Sequence, residues 1–307
     1  MRTAKKPMAE ITEITSGLQF PEGPIAMDDG SIVLVEIQRG TLSRVTPAGE
    51  IEVIAETGGG PNGAAIGPDG KCYICNNGGF EWHDRDGLTI PGEQPADYSG
   101  GRIERVDLDT GKVEVLYTEC DGHPLRGPND IVFDAQGGFW FTDHGKNRPR
   151  DKDRTGVYYA GIDGKHIEEV IFPLEAPNGI GLSPTEDKLY VAETPTGRLW
   201  EFGIAQPGKL GNERRMMAQI GDFHLFDSLA VDGDGNICVA TIITGGITVH
   251  SPDGQKAELV PMPDLLTTNI CFGGKDLQTA YITLSSTGRL VSMPWRCPGL
   301  PLNFLNK

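Results

Sequence analysis

Six short motifs recur along the 307-residue chain: Pro21-Glu22-Gly23, Pro61-Asn62-Gly63, Pro128-Asn129-Asp130, Pro177-Asn178-Gly179, Phe226-Asp227-Ser228 and Thr268-Asn269-Ile270. Their middle residues are 40, 67, 49, 49 and 42 positions apart. Repeats of that period belong to solenoids, propellers or arrays, in which one unit cannot bury its apolar face alone and stacks on the next. Each motif reads as a turn-like segment that delivers a polar or acidic residue ahead of an apolar run.

The content of a repeat selects among these architectures. After Glu22 come the short apolar runs Ile32–Val35, Thr41–Val45 and Ile51–Ile54, separated by Asp28-Asp29-Gly30 and Gly49. The same order follows Asn62, with Cys72–Cys75, Gly101–Val106 and Val113–Leu116, and recurs after Asn129. Asp-Gly and Gly-Gly between β-branched or aromatic runs are hairpin signals, since they accept the positive φ such turns need. No amphipathic helix of ordinary length is legible. Four-stranded units at this period predict an all-β, six-bladed β-propeller, a fold that leaves only short, protected sheet edges. The sixth repeat supplies three strands (Asn269–Phe272, Thr279–Leu284, Gly288–Met293), and the amino-terminal run Glu10–Ile14 is expected to close the ring as its outer strand. Residues 1–307 then form one domain.

A formal net charge of -16 opposes nucleic-acid or anionic-membrane partners. The basic start (Arg2, Lys5, Lys6) runs into Met8-Ala9-Glu10 without the apolar core of a signal peptide, and no run reaches the roughly 20 apolar residues of a membrane span, so a cytoplasmic location is expected. Oligomeric state is not indicated. Six cysteines are scattered. Cys72 and Cys75 match C-x-x-C, but inside a strand residues three apart face opposite ways, and no second pair completes a zinc site, so core packing is the reading.

The first strand of a propeller blade lies nearest the central channel, so the six middle residues form a ring at one mouth. All six (Glu22, Asn62, Asn129, Asn178, Asp227, Asn269) carry a side-chain oxygen, a donor set suited to a hard cation. Asn and Asp are also ordinary turn residues, but Glu22 has no such preference.

At these positions the chain resembles the senescence marker protein, gluconolactonase and luciferin-regenerating enzyme family, with diisopropyl fluorophosphatase and paraoxonase as more distant relatives. The resemblance runs through Phe20–Pro24, Gly127–Asp130, Ala176–Gly179 and Phe226–Leu229. It implies one catalytic divalent metal, usually calcium, held by Glu22, Asn178 and Asp227, with Asn129 as a fourth ligand or a substrate contact. Manganese, magnesium, iron(II) and zinc also suit so open a site. The implied activity is metal-dependent lactone hydrolysis: the metal polarises the carbonyl, Asp227 acts as general base on water, and Asn129 steadies the oxyanion. In phosphotriester-cleaving relatives the equivalent aspartate has been proposed as a nucleophile. The alternatives are organophosphate hydrolysis at the same metal and isomerisation of a sugar-derived acid. Sugar lactones and small aliphatic lactones are both candidate substrates.

Two insertions, Phe80–Gly100 and His144–Thr155, are expected to form a lid or rim. Trp82 and His83 are candidate pocket walls, joined by Phe80, Phe141 and Phe226 should the substrate be apolar. Asn62, Asn269, Asp143, His144, His224 and Arg126 are further candidate substrate contacts. Arg126 resembles a family arginine that contacts sugar-lactone hydroxyls. Glu193 has a structural or a catalytic reading, and Ser228 resembles a residue that joins a second metal in some relatives.

Overall fold

Each repeat folds into a four-stranded antiparallel sheet, and six such sheets form a six-bladed β-propeller. The computed structural model describes residues 10–219 and 224–306, all strand, turn or irregular backbone; the basic start lies outside them. Blade 1 comprises Pro21–Ala26, Ile32–Glu36, Thr41–Val45 and Ile51–Glu56. The inner strands of blades 2 to 6 are Pro61–Ile66, Pro128–Phe133, Pro177–Leu182, Leu225–Val231 and Thr267–Gly273. As expected, the sixth sheet takes its outer strand from the amino terminus. The strand is Thr12–Ser16, two residues later than the sequence pattern placed it, and it pairs with Arg289–Pro294. Among the described residues no helix is long and apolar enough to cross a membrane.

The core lies between blades. Second strands present alternate residues to the two neighbouring blades: Cys72 and Ile74 pack with Ile25 and Val33 of blade 1, whereas Tyr73 and Cys75 pack with Ile131 and Phe139 of blade 3. Both cysteines are fully buried and their thiols are pushed up by burial, as packing residues would be. Equivalent clusters join blades 3 and 4 through Trp140 and Leu189, 4 and 5 through Tyr190 and Phe226, 5 and 6 through Ala240 and Ile282, and 6 and 1 through Leu290 and Ile32. Each buried aliphatic or aromatic side chain contributes about 1.5–3 kcal/mol. The ring is therefore held by six apolar seams, and the amino-terminal strand fastens the last of them.

The recurring motifs are not turns that precede the strands, as the sequence reading had them. They sit inside the inner strands, and in every blade the pairing to the second strand breaks at the motif: between Glu22 and Ile25, Pro61 and Ala64, Pro128 and Ile131, Pro177 and Ile180, Phe226 and Leu229, and Thr267 and Asn269. A bulge at that point re-aims a side chain. The glycines that follow are explained by close approach of the next blade. A Cβ on Gly23 would lie 2.6 Å from the Asn62 carbonyl oxygen, one on Gly63 2.4 Å from that of Asn129, and one on Gly179 2.7 Å from that of Asp227. Successive inner strands thus touch, backbone to backbone, at the ring.

Gly63→Ala, which forces a methyl group into the Asn129 backbone, should lower unfolding stability by about 1–3 kcal/mol in urea titration. An unchanged midpoint would show that the inner strands do not constrain one another there.

Candidate metal centre

The inner strands surround a cavity of about 190 Å³ on the propeller axis, lined by Ile25, Ile66, Ile131, Ile180, Leu229 and Ile270 from the six blades. The tail residues Leu300, Pro301, Leu302, Asn303 and Leu305 line its far end. Asn303 donates to the Phe133 carbonyl at 3.1 Å and Asn306 to that of Ala26 at 3.1 Å, so the tail spans blades 1 and 3. Asp130 and Asn269 border the cavity on the side of the ring.

Glu22, Asn62, Asn129, Asn178 and Asn269 are buried, and Asp227 keeps part of its surface open. Burial raises the Glu22 carboxyl to about 7, although Asn269, the Gly23 amide and Thr268 hydrogen-bond it. The Glu22 Oε2 atom accepts from Asn269 Nδ2 at 2.6 Å and from the Gly23 N–H at 2.6 Å. Asp227 is held well above the usual carboxylate range, first by burial and then by the nearby charge of Glu22, with an offset from the Asn178 amide. Asp130, not singled out by the sequence reading, joins this group: burial and then Glu22 push it up to about 8. Its Oδ1 accepts from the Ile131 N–H at 2.9 Å and its Oδ2 from the Ile180 N–H at 3.3 Å, so it also bolts blade 3 to blade 4.

Two further oxygens of the ring lack a partner. Asn129 Oδ1 and Asn178 Oδ1 are buried without a hydrogen-bond partner among the described residues, while Asn178 Nδ2 is steered by Thr194 Oγ1 at 3.1 Å. Orphaned amide oxygens beside two mutually repelling carboxylates are costly in a protein interior and fit a hard divalent cation. Among the described residues no three His, Cys, Asp or Glu side chains are arranged to hold a metal ion by themselves, so amide oxygens would have to complete the coordination.

The structure redistributes the other expected roles. Asn269 is a support rather than a free substrate contact: its Nδ2 holds Glu22 and its Oδ1 accepts the Ile270 N–H at 2.7 Å. Asp143 is buried, with Oδ1 accepting the Gly127 and Gly145 N–H groups at 2.7 and 2.8 Å and Oδ2 that of Arg126 at 2.7 Å, so its described partners are all backbone. Phe141 and Phe226 are fully buried between blades and line no mouth. His144 is half-buried and burial lowers its imidazole to about 4, so it is neutral at ordinary pH. His224 Nδ1 lies 3.1 Å from Thr244 Oγ1. Arg126 and His83 are exposed, and half-buried Trp82 packs its ring 5.1 Å from Phe20. Ser228 Oγ is buried without a partner among the described residues.

Asp143 belongs to a device that sequence reasoning missed. The residue ending the second strand of four blades reaches back to the N–H groups just before the ring residue. Glu36 takes Gln19 at 2.7 Å, Asn76 takes Gly60 at 2.9 Å, Asp143 takes Arg126 and Gly127, and Glu193 takes Glu175 at 2.9 Å. Glu193 also accepts from Thr196 Oγ1 at 2.7 Å, which decides its structural reading. An acid or amide at the second-strand end of these four blades is the available signal.

Residues 20–286 match the SMP-30/Gluconolactonase/LRE-like region, and the chain belongs to that family. It is 27% identical to a gluconolactonase of Zymomonas mobilis over 90% of this chain and 79% of that one. It is 26% identical to a diisopropyl-fluorophosphatase of Loligo vulgaris over 94% and 93%, and 29% identical to a lactonase of Staphylococcus saprophyticus over 84% and 74%. Its fold superposes on a gluconolactonase from Xanthomonas campestris with a TM-score of 0.75 at 24% identity, covering 93% of this chain and 89% of that one. A regucalcin from Agrobacterium tumefaciens, described as a calcium-binding protein, gives 0.73 at 19%, covering 96% and 98%.

Because the Glu22 carboxyl is raised from 4.5 to about 7, its contribution to metal-free stability is fully present below 4.5 and lost as pH rises through 7. A cation needs the carboxylate charged and binds better at higher pH. The rise in Tm on adding calcium should therefore be larger at about pH 8 than at about pH 5; equal rises would remove Glu22 from the site.

Proposed function

We propose that this protein opens lactone rings hydrolytically with a divalent metal, calcium first among them, held by Glu22, Asn129, Asn178 and Asp227. The observation that carries the reading is the pair of unpartnered buried oxygens, Asn129 Oδ1 and Asn178 Oδ1, beside Glu22 and Asp227 at registered bulges. The all-oxygen donor set favours calcium. The named relatives that are gluconolactonase and lactonase support the reaction class.

The bound cation would supply a Lewis acid for the carbonyl oxygen and lower the pKa of water. Asp227, the ring carboxylate that keeps an open face, accepts the proton of the attacking water as general base. The Asn129 amide donates through Nδ2 to the oxygen on which charge develops, while Oδ1, buried without a partner among the described residues, serves as ligand. Glu22 is held in place by Asn269 and Gly23, and Asn178 by Thr194, so neither must reorganise during the reaction. Apolar seams pack against the ring between blades 1 and 2 and between blades 4 and 5. Phosphotriester hydrolysis is a second reading, favoured by the near full-length match to the Loligo vulgaris diisopropyl-fluorophosphatase.

A pH-indicator assay on a lactone panel, run on metal-stripped protein and after adding back each divalent ion, tests the reading. Activity should vanish on chelation and return with calcium; turnover that survives complete chelation would end it. Asp227→Asn should lower kcat by about 10²–10⁴-fold while the fold is kept. Glu22→Gln should first raise the calcium concentration needed for half-maximal activity. Wild-type rates in both variants would take these residues out of the mechanism, and cleavage of paraoxon-like esters with a silent lactone panel would favour the second reading.

A further inference from the structure

Lys146 is among the largest fully buried side chains of the protein, and the proposed reaction makes no use of it. It lies in the blade 3 insertion, just after Gly145 turns the chain with φ +73. Its Nζ donates to Asn77 Oδ1 at 2.9 Å and to the Gly79 carbonyl at 2.5 Å, and stands 3.7 Å from the centre of the Phe80 ring. No carboxylate of a described residue lies within ion-pair distance; Asp143 and Asp153 act on it only from farther away. A buried amine without an ion pair, which burial pushes down to about 7, is an expensive choice where a methionine would pack as well, unless its donors hold something.

What it holds is the start of the other insertion. Gly79 and Phe80 lead into a hairpin of Trp82–Arg85 and Leu88–Pro91, which leaves blade 2 and crosses the mouth. The Phe80 ring meets Trp82 edge-on at 6.1 Å, and Trp82 packs 5.1 Å from Phe20, two residues before Glu22. Trp82 and Ile90 join an apolar cluster with Phe20, Ile37, Leu266 and Ile242 from the rims of blades 1 and 5 and the approach to blade 6. At the far end the Thr89 N–H donates to the Ser286 carbonyl at 2.9 Å, beyond blade 6's second strand. The hairpin thus rests on blades 1, 5 and 6 through slippery apolar contacts and one backbone hydrogen bond. Its root is fixed by directional bonds, those of Lys146 and the Gln94 N–H to the Asn147 carbonyl at 2.9 Å. Apolar contacts set distance but not orientation, whereas two hydrogen bonds and a ring face together fix both.

We propose that Lys146 is a positioning residue that pins the 80–93 hairpin across the channel mouth, so that the hairpin closes over bound substrate and sets how tightly it is retained. The amine belongs to blade 3 and the hairpin to blade 2, so the pin also couples the two insertions into one rim. Asn77 extends the coupling inward: its backbone N–H donates to the Gly60 carbonyl at 2.8 Å, two residues before Asn62. The kinetic half of this inference rests on the lactone reading; the structural half does not.

The test uses full-length protein with calcium present, comparing wild type, Lys146→Met and Phe80→Leu by hydrogen–deuterium exchange and by kinetics on delta-gluconolactone and delta-valerolactone. Lys146→Met should quicken exchange across residues 80–93 by about tenfold, leaving the inner strands of blades 3 and 4 as protected as in wild type. It should raise KM by about tenfold with kcat within about twofold. Phe80→Leu, which keeps both hydrogen bonds and loses the ring, should shift both readouts in the same direction by less. If Lys146→Met does not fold, Phe80→Leu alone decides. Unchanged exchange over 80–93, a rise spread equally over blades 2 and 3, or faster hairpin exchange with an unchanged KM would each overturn the proposal. Faster hairpin exchange in a protein that turns over neither lactone would support the pin and count against the lactone reading alone.

Discussion

Everything in this molecule is arranged around the cost of burying like charges on one axis. Glu22, Asp227 and Asp130 come from blades 1, 5 and 3, and each is desolvated; Glu22 raises the other two. An isolated carboxylate in such a place would take up a proton, and the direction of all three shifts says that it does so in the absence of a compensating charge. A divalent cation reverses that balance. The two orphaned amide oxygens, Asn129 Oδ1 and Asn178 Oδ1, gain a partner in the same event. Metal binding and stability are therefore expected to be strongly linked.

The scaffold makes so unfavourable a cluster possible by constraining it from three sides. Bulges break each inner strand from its neighbour at the ring residue, glycines at 23, 63 and 179 let adjacent inner strands touch, and second-strand ends clamp the backbone leading into the ring. Behind these lie the apolar seams between blades, whose burial holds the ring closed around the axis. Local strain at a functional centre held by an over-determined surround is a general pattern. Here the surround is a closed ring, in which no blade can relax without opening a seam with its neighbour.

Much of this was legible in the sequence, and the limits are instructive. The period and hairpin signals were sufficient for six blades, closure by the amino-terminal strand and the oxygen-bearing ring, because each depends on local spacing repeated many times. Read one repeat at a time, Pro-Asn-Gly is a turn; in the fold it is a strand bulge, since its glycine answers to a backbone in the next blade and not to a φ of its own. Asp130 was passed over because a single acid where other repeats carry glycine looks like variation. The sequence pattern does not show the bonds that Asp143 and Asn269 make, because the N–H groups that Asp143 accepts and the carboxylate that Asn269 holds come from other strands or the far end of the chain. Phe141 and Phe226 were offered to the pocket because aromatic type says nothing about which face of a strand a blade seam covers. Lys146 was invisible for the same reason: only the coordinates place its amine against a loop 67 residues away.

The central claim is that one cation sits on the propeller axis within reach of Glu22, Asn129, Asn178 and Asp227. Crystals grown with calcium and soaked with a lanthanide, which binds similar oxygen sites and scatters anomalously, test it directly. The account predicts a dominant anomalous peak on the axis with oxygens of these four residues at about 2.3–2.6 Å. A map without a peak there, or with its strongest peak on the outer surface of a blade, would contradict it.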